Sequence, residues 1–231
     1  NGYDKAQDAL DKFLGPCLTC DKLLPVIEKK FEQAKTDDNL RSKVLNTLKK
    51  RECTDNEVFK TLIVIDVEKN PSAEGYEGLA QMYLQEGSNS KAITYYDKAI
   101  ETYNLLIDED PYDFEQWFNL SLVYSYNEQY EKAIDCLDMT LAIEEDYYPA
   151  IVQKGDNYSS IGKLAEAIEC YELSTEYVPF DKDVVRNLAS AYADNEQFGD
   201  AIKLFTKLID KHPYNYQAYF GRGICLDALE Q

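Results

Sequence analysis

The sequence predicts an all-α chain, a solenoid of antiparallel helix pairs, and three observations carry that prediction. Glycine and proline are scarce, 10 and 7 in 231 residues, so turns must be few and short. Apolar residues recur at helical rather than strand spacing. A set of positions repeats along the last two thirds of the chain with a period of 34 residues.

The first third, residues 1–71, lacks the repeat but still reads as helical. Tyr3 to Leu14 is a short amphipathic helix stopped by Gly15-Pro16. Asp21 caps a helix to about Ala34, with Leu23, Leu24, Ile27 and Phe31 on one face. Thr36-Asp37-Asp38 is a turn and cap for Leu40 to Lys50, whose inner face is Leu40, Val44, Leu45 and Leu48. Thr54 and Asp55 cap Glu57 to Glu68, which Asn70-Pro71 closes. The first two helices are expected to form a cap, and 38–69 a degenerate helix pair.

From residue 72 the repeat is explicit. Tyr83, Tyr124, Tyr158 and Tyr192 are spaced by 41, 34 and 34, and Leu226 follows after another 34. Nine residues after each tyrosine stands an Ala-Ile pair, beginning at Ala92, Ala133, Ala167 and Ala201. Three before lies a small residue, Ala80, Ser121, Gly155, Ala189 and then Gly223. Seven before lies a large apolar one, Tyr76, Trp117, Ile151, Val185 and Tyr219, predicted to be core. Thirteen after comes Tyr96, Leu137, Tyr171 or Phe205. The small residues are where two helices cross closely; the large ones fill the seam between units. Pro179 and Pro213 close two units. The predicted units lie near 73–113, 114–147, 148–181 and 182–215, with a half unit at 216–231. That unfinished last unit reads as a fragment of a longer chain or, alternatively, as a lone helix that itself caps the stack. The first unit is seven residues longer, read as two extra turns on its second helix, about 10 Å at 1.5 Å per residue. Its tip, Leu105-Leu106-Ile107, is expected to project, either onto the N-terminal segment or toward a partner.

These positions together resemble the tetratricopeptide repeat family, over roughly Ser72 to Gln231. The resemblance implies a right-handed superhelix whose first helices line a concave face that grips a peptide or helix of another protein. Carried onto this register, the groove includes Glu74, Glu77 and Gln81 in the first unit. It continues through Phe118, Leu122 and Tyr126, then Val152 and Asp156, then Arg186 and Ser190, and ends at Phe220. Counting Glu115, Asp183, Asp194 and Asp227 at equivalent places, the face holds seven carboxylates against one arginine. Its centre, around Phe118, Leu122, Tyr126 and Val152, is apolar. The expected partner is therefore basic and apolar where it enters. Family members that clamp C-terminal carboxylates use Lys, Asn and Arg on this face; Glu77 and Gln81 do not support that clamp.

Charge and chemistry narrow the function. With 43 Asp and Glu against 24 Lys and Arg, the net charge of -19 disfavours nucleic acid and anionic membrane surfaces. No apolar run approaches the length of a transmembrane helix. No catalytic constellation, metal site or cofactor motif is expected: the single His212 stands at a helix end, and Gly221-Arg222-Gly223 follows no strand, with Gly223 attributed to packing. Cys136 and Cys170, 34 apart, read as small buried hydrophobes. Cys17, Cys20 and Cys53 gather at one end of a helical hairpin, as free thiols or as a disulfide from Cys17 or Cys20 to Cys53. The disulfide would favour an exported protein. The reading is a non-enzymatic interaction scaffold. The alternative is a structural, assembly or accessory domain of a larger cell-envelope protein.

Overall fold

The computed structural model describes residues 24–25, 27–50 and 57–230, and among them every regular element is a helix. There are twelve: α1 (Phe31–Thr36), α2 (Asp38–Lys50), α3 (Glu57–Lys69), α4 (Ala73–Gln85), α5 (Asn89–Glu109), α6 (Phe114–Tyr126), α7 (Tyr130–Ile143), α8 (Tyr148–Ser160), α9 (Leu164–Tyr177), α10 (Lys182–Asp194), α11 (Phe198–Lys211) and α12 (Tyr216–Glu230). The chain divides after Ser88 into two compact units. The predicted helix Tyr3–Leu14, the Thr54-Asp55 cap and Cys17, Cys20 and Cys53 lie outside the described residues.

In the first unit, α1, α2 and α3 enclose Ile27, Ala34, Val44, Leu45, Leu48, Phe59 and Leu62. The Asp37 carboxylate accepts the Leu40 N–H at 3.0 Å, which is the expected cap of α2. The helix expected to run to Ala34 is interrupted: Lys29 and Lys30 form a turn, and α1 restarts at Phe31 and runs to Thr36. Nothing in the local sequence explains that break. Arg41 is fully buried, its Nε donating to Asp66 at 3.0 Å and an Nη to Asp38 at 2.7 Å. Lys69 also donates to Asp38, at 2.7 Å. The Gly75 position on α4 approaches Val67 of α3, leaving a Cβ only 3.2 Å from its methyls.

In the second unit each helix packs on the next from α5 to α12, and α8 also touches α10, as α10 touches α12. First helices therefore form one layer and second helices the other, the geometry of a solenoid. Many of the repeat residues are buried as expected. Ser121, Gly155 and Ala189 of the first helices are buried, as are Ala133, Ala167 and Ala201 of the second helices and the large residues Leu137, Tyr171 and Phe205. At Gly155 the approach is close enough that a Cβ would lie 2.8 Å from the Tyr171 ring.

Two expectations need correction. Nothing lies within 4 Å of a Cβ at Gly223, whereas at Gly221 it would meet the Phe205 ring at 2.4 Å. The packing glycine of α12 is thus Gly221, because α12 closes on the preceding unit. Of the residues expected in the core, Tyr219 is 44% exposed, Tyr76 and Trp117 are only half-buried, and the Trp117 indole N–H donates to the Pro111 carbonyl at 3.0 Å. The tryptophan braces the turn before its helix as well as filling space.

The long helix is as predicted: α5 has 21 residues, against 14 in α7. Its extension does not simply project, since Tyr103 and Ile107 are buried and Leu105 is exposed.

Candidate functional site: the faces of the first helices

The repeated tyrosines mark where each first helix ends. The Tyr83, Tyr124, Tyr158 and Tyr192 carbonyls accept the N–H of Ser88, Gln129, Lys163 and Gln197 at 2.8–2.9 Å. The residue before each donor, Gly87, Glu128, Gly162 or Glu196, has φ between 57° and 75°. That is a Schellman closure repeated four times. The starts of the first helices are also built locally. Asp113 and Asp181 carboxylates accept the N–H of Glu115 and Asp183 at 3.0 and 2.9 Å, and Asn215 accepts that of Ala218 at 3.1 Å.

On α4, in the first unit, Gln81 donates to the Glu77 carboxylate at 2.9 Å. Partial burial raises the Glu77 carboxyl above the usual range, and Glu74 adds to this. Glu74 and Gln81 line a cleft of about 570 Å3 floored by Phe59, Ile63, Val67 and Leu79. A Lys60–Glu86 ion pair at 2.7 Å stands on its rim.

In the second unit the expected apolar centre is largely engaged within the fold. Phe118 meets the Tyr147 ring edge-on at 5.1 Å, and Tyr147 meets Phe114 at 5.0 Å. Tyr126, half-exposed, stacks on Tyr96 of α5 at 6.4 Å. Leu122 and Val152 are half-buried. The sequence register places these residues on the first helices but does not show which neighbouring ring reaches them.

The carboxylates are also partly engaged. Asp156 accepts the Tyr171 hydroxyl at 2.6 Å and the Asn187 amide at 3.0 Å. Burial raises the Asp156 carboxyl, outweighing those hydrogen bonds and the nearby Arg186 charge, which pull it down. Arg186 donates to Asp183 at 2.5 Å and to Asn187 at 3.3 Å. Ser125 donates to Asn157 at 2.7 Å, joining α6 to α8 as Asp156 and Asn187 join α8 to α10. Asn157 and Asn187 were not among the predicted residues. Their spacing of 30 breaks the repeat, so periodicity gave no signal for them.

The site that is open lies between α10 and α12. A cleft of about 580 Å3 is lined by Arg186, Ser190, Ala193, Asp194, Gln217, Phe220 and Ile224, with the Phe205 ring and Gly221 beneath. Phe220 is 71% exposed and Ile224 51%. The structure therefore brings together Arg186, Ser190 and Phe220 of the predicted groove and, separately, Glu74 and Gln81. It turns Phe118 and Tyr126 toward intramolecular partners. Only Arg186 and Asp194 are charged in the α10–α12 cleft, so this part is balanced rather than acidic.

Among the described residues the chemistry is sparse. Cys136 and Cys225 are buried, Cys170 partly so, and all three are free thiols. Burial pushes the Cys136 thiol up to about 12 and that of Cys170 to about 11, so neither is a thiolate nucleophile at neutral pH. No group of three or more His, Cys, Asp or Glu side chains among the described residues could hold a metal ion. No described helix is long and apolar enough to cross a membrane.

Comparison with known proteins places the array. Tetratricopeptide repeat profiles match residues 72–146, 148–179 and 186–231. The chain is 24% identical over 98 residues to the transcription factor tau 131 kDa subunit of Saccharomyces cerevisiae, covering 42% of this chain and 10% of that protein. It is 27% identical over 125 residues to BBSome complex member BBS4 of Bos taurus, covering 54% and 24%. The chain thus spans only a tenth to a quarter of these relatives. Among solved structures, MamA from residue 41 onward of Desulfovibrio magneticus RS-1 superposes with a TM-score of 0.53 at 21% identity, over 68% of this chain and 85% of that one. YrrB, described as a repeat protein with an unusual peptide-binding site, superposes with a TM-score of 0.51 at 17% identity, over 73% and 84%.

Proposed function

The chain belongs to the tetratricopeptide repeat family, and on that premise we propose that it is a non-enzymatic scaffold binding a peptide or helix of another protein on the face lined by its first helices. The observation that carries this reading is the cleft between α10 and α12, where Phe220 and Ile224 stand exposed above the Phe205 ring. Large apolar side chains exposed inside a concavity are where binding energy concentrates. Arg186, Ser190, Asp194 and Gln217 around them supply polar contacts that would orient a segment. The peptide site described for YrrB is consistent with such a use of the fold.

In this reading the binding face of the second unit runs through Leu122, Tyr126, Val152 and Asp156 to Phe220, and Glu74, Glu77 and Gln81 mark a binding stretch of the first unit, with the array taken as 72–231 and 1–71 as its helical cap with a degenerate helix pair. The partner is apolar at the α10–α12 end and basic near Glu74 and Glu77. Co-purification from the native cell, followed by titration of the captured protein, tests it. Phe220→Ala should weaken binding about tenfold, the effect of losing about 1.4 kcal/mol at a buried aromatic anchor. Full affinity in that variant would remove the α10–α12 cleft from the binding face.

The same fold would serve an assembly or accessory role in a larger protein, as its short span relative to its curated relatives suggests.

A further inference from the structure

The turns that join one repeat of the second unit to the next lie along one edge, because helices alternate in direction. Side chains link adjacent turns: the Tyr177 hydroxyl donates to Asp146 at 3.3 Å, and the Lys211 ammonium sits 3.0 Å from the centre of the Phe180 ring. Along this edge the charge changes sign. Asp108 and Glu109 close α5 and Asp110 begins the turn after it, and the turn after α7 begins with Glu144, Glu145 and Asp146. The last two turns instead bring together Lys182, Lys211 and His212.

These residues line a cleft of about 500 Å3 between the start of α10 and the turn into α12. Its charged side chains are Lys182, Arg186 and Lys211 against Asp183 alone, with His212 beside them. Arg186 and Asp183 neutralise each other in an ion pair at 2.5 Å, and among the described residues no carboxylate lies in ion-pair range of Lys182 or Lys211. Lys182 opens α10, at the positive end of the helix dipole, where a cation costs stability rather than adding to it. Helix energetics therefore do not account for that lysine. Aromatic surface surrounds the charges: Tyr214 is 98% exposed, Tyr216 77% and Phe180 57%. Rigid exposed rings beside uncompensated cations can hold a carboxylate and the apolar side chain next to it.

We propose that this edge cleft is a second docking site, adjoining the α10–α12 cleft through the shared residues Arg186, Tyr216 and Gln217, and that its occupant is an acidic peptide segment carrying an aromatic or large apolar residue. Charge complementarity selects that occupant. In a chain of net charge -19 an anionic segment is repelled by most of the surface and attracted here, over about 10 Å at 0.1 M salt.

The test uses the whole chain and labelled peptides of sequence Glu-Glu-Phe-Glu-Glu and Lys-Lys-Phe-Lys-Lys, with a short single-stranded oligonucleotide as a phosphate competitor. Fluorescence anisotropy should show the acidic peptide binding at low salt and weakening as salt rises. The double variant K182E/K211E should bind it at least about tenfold more weakly, with an unchanged helical signal because both side chains are exposed. Phe220→Ala, which impairs the concave cleft, should leave this binding within about twofold, so the two sites are told apart. The proposal is overturned if the acidic peptide fails to bind at low salt, or if the lysine peptide, which the concave groove is expected to take, is weakened as much as the acidic one by K182E/K211E. It is equally overturned if the oligonucleotide binds more tightly than the acidic peptide, or if K182E/K211E retains full affinity.

Discussion

Asp156 shows how a single residue of the inner layer is held. Its carboxyl lies between the Tyr171 hydroxyl and the Asn187 amide, and burial raises its pKa despite both hydrogen bonds. A carboxyl whose folded pKa exceeds its unfolded one binds its proton more tightly in the native state. Its contribution is therefore most favourable at acid pH and declines as pH rises from the unfolded pKa through the folded one. Asp156→Asn removes that titration while keeping an oxygen acceptor for Tyr171. Thermal melts of the two proteins should accordingly diverge in favour of Asn as pH rises through the carboxylate range and converge below it. A constant difference at every pH would show that the charge of Asp156 carries no such cost. Sequence register placed Asp156 on the inner face, but its partners Tyr171 and Asn187 come from other helices, so its burial was not legible there.

The helical elements end in a way that invites a sharper test. Four first helices close through a left-handed residue, and at two of these places that residue is Glu128 or Glu196 rather than glycine. A side chain in this conformation costs roughly 1–2 kcal/mol, and glycine returns part of that gain as unfolded-chain entropy of about 0.4–1 kcal/mol. Glu128→Gly and Glu196→Gly should each stabilise the second unit by about 0.5 kcal/mol net, measured by urea denaturation. Loss of stability in both variants would mean that the glutamate side chains hold the turns through contacts of their own. The spacing of Tyr83, Tyr124, Tyr158 and Tyr192 set the register of the first helices but did not show that each closes through a left-handed residue. The extra turns of α5 were legible in the same way, from seven residues without a breaker. Which of them would be buried was not, because Tyr103 and Ile107 are covered by packing that a one-dimensional pattern does not contain.

At the scale of the whole molecule, the second unit behaves as a line of neighbours, each helix held by the next. Damage at its last junction should therefore stay local. Gly221→Ala would drive a Cβ to 2.4 Å from the buried Phe205 ring, an overpacking that costs about 1–3 kcal/mol. Hydrogen exchange should accelerate in α12 and the adjoining face of α11 while α6 to α9 keep their protection. Uniform loss across the unit would show longer-range cooperativity than nearest-neighbour packing provides. The net charge of -19 is likewise not uniform at this scale. Acidic turns follow α5 and α7, the α10–α12 cleft is balanced, and uncompensated lysines gather at the last two turns.

The sequence by itself determined the class of fold, the register of the repeats and the extra length of α5. Those features depend on periodicity and on breakers, which act within one helix or one turn. Tertiary structure decided which side chains of the inner face remain free. Phe118 and Tyr126 are taken up by Tyr147 and Tyr96, residues about 30 positions away, while Phe220 stays 71% exposed above the Phe205 ring. It also decided that Gly221 rather than Gly223 carries the close contact of α12, since that depends on where the Phe205 ring lies. A periodic pattern states which residues share a face; only the packed neighbours settle which of them a partner can reach.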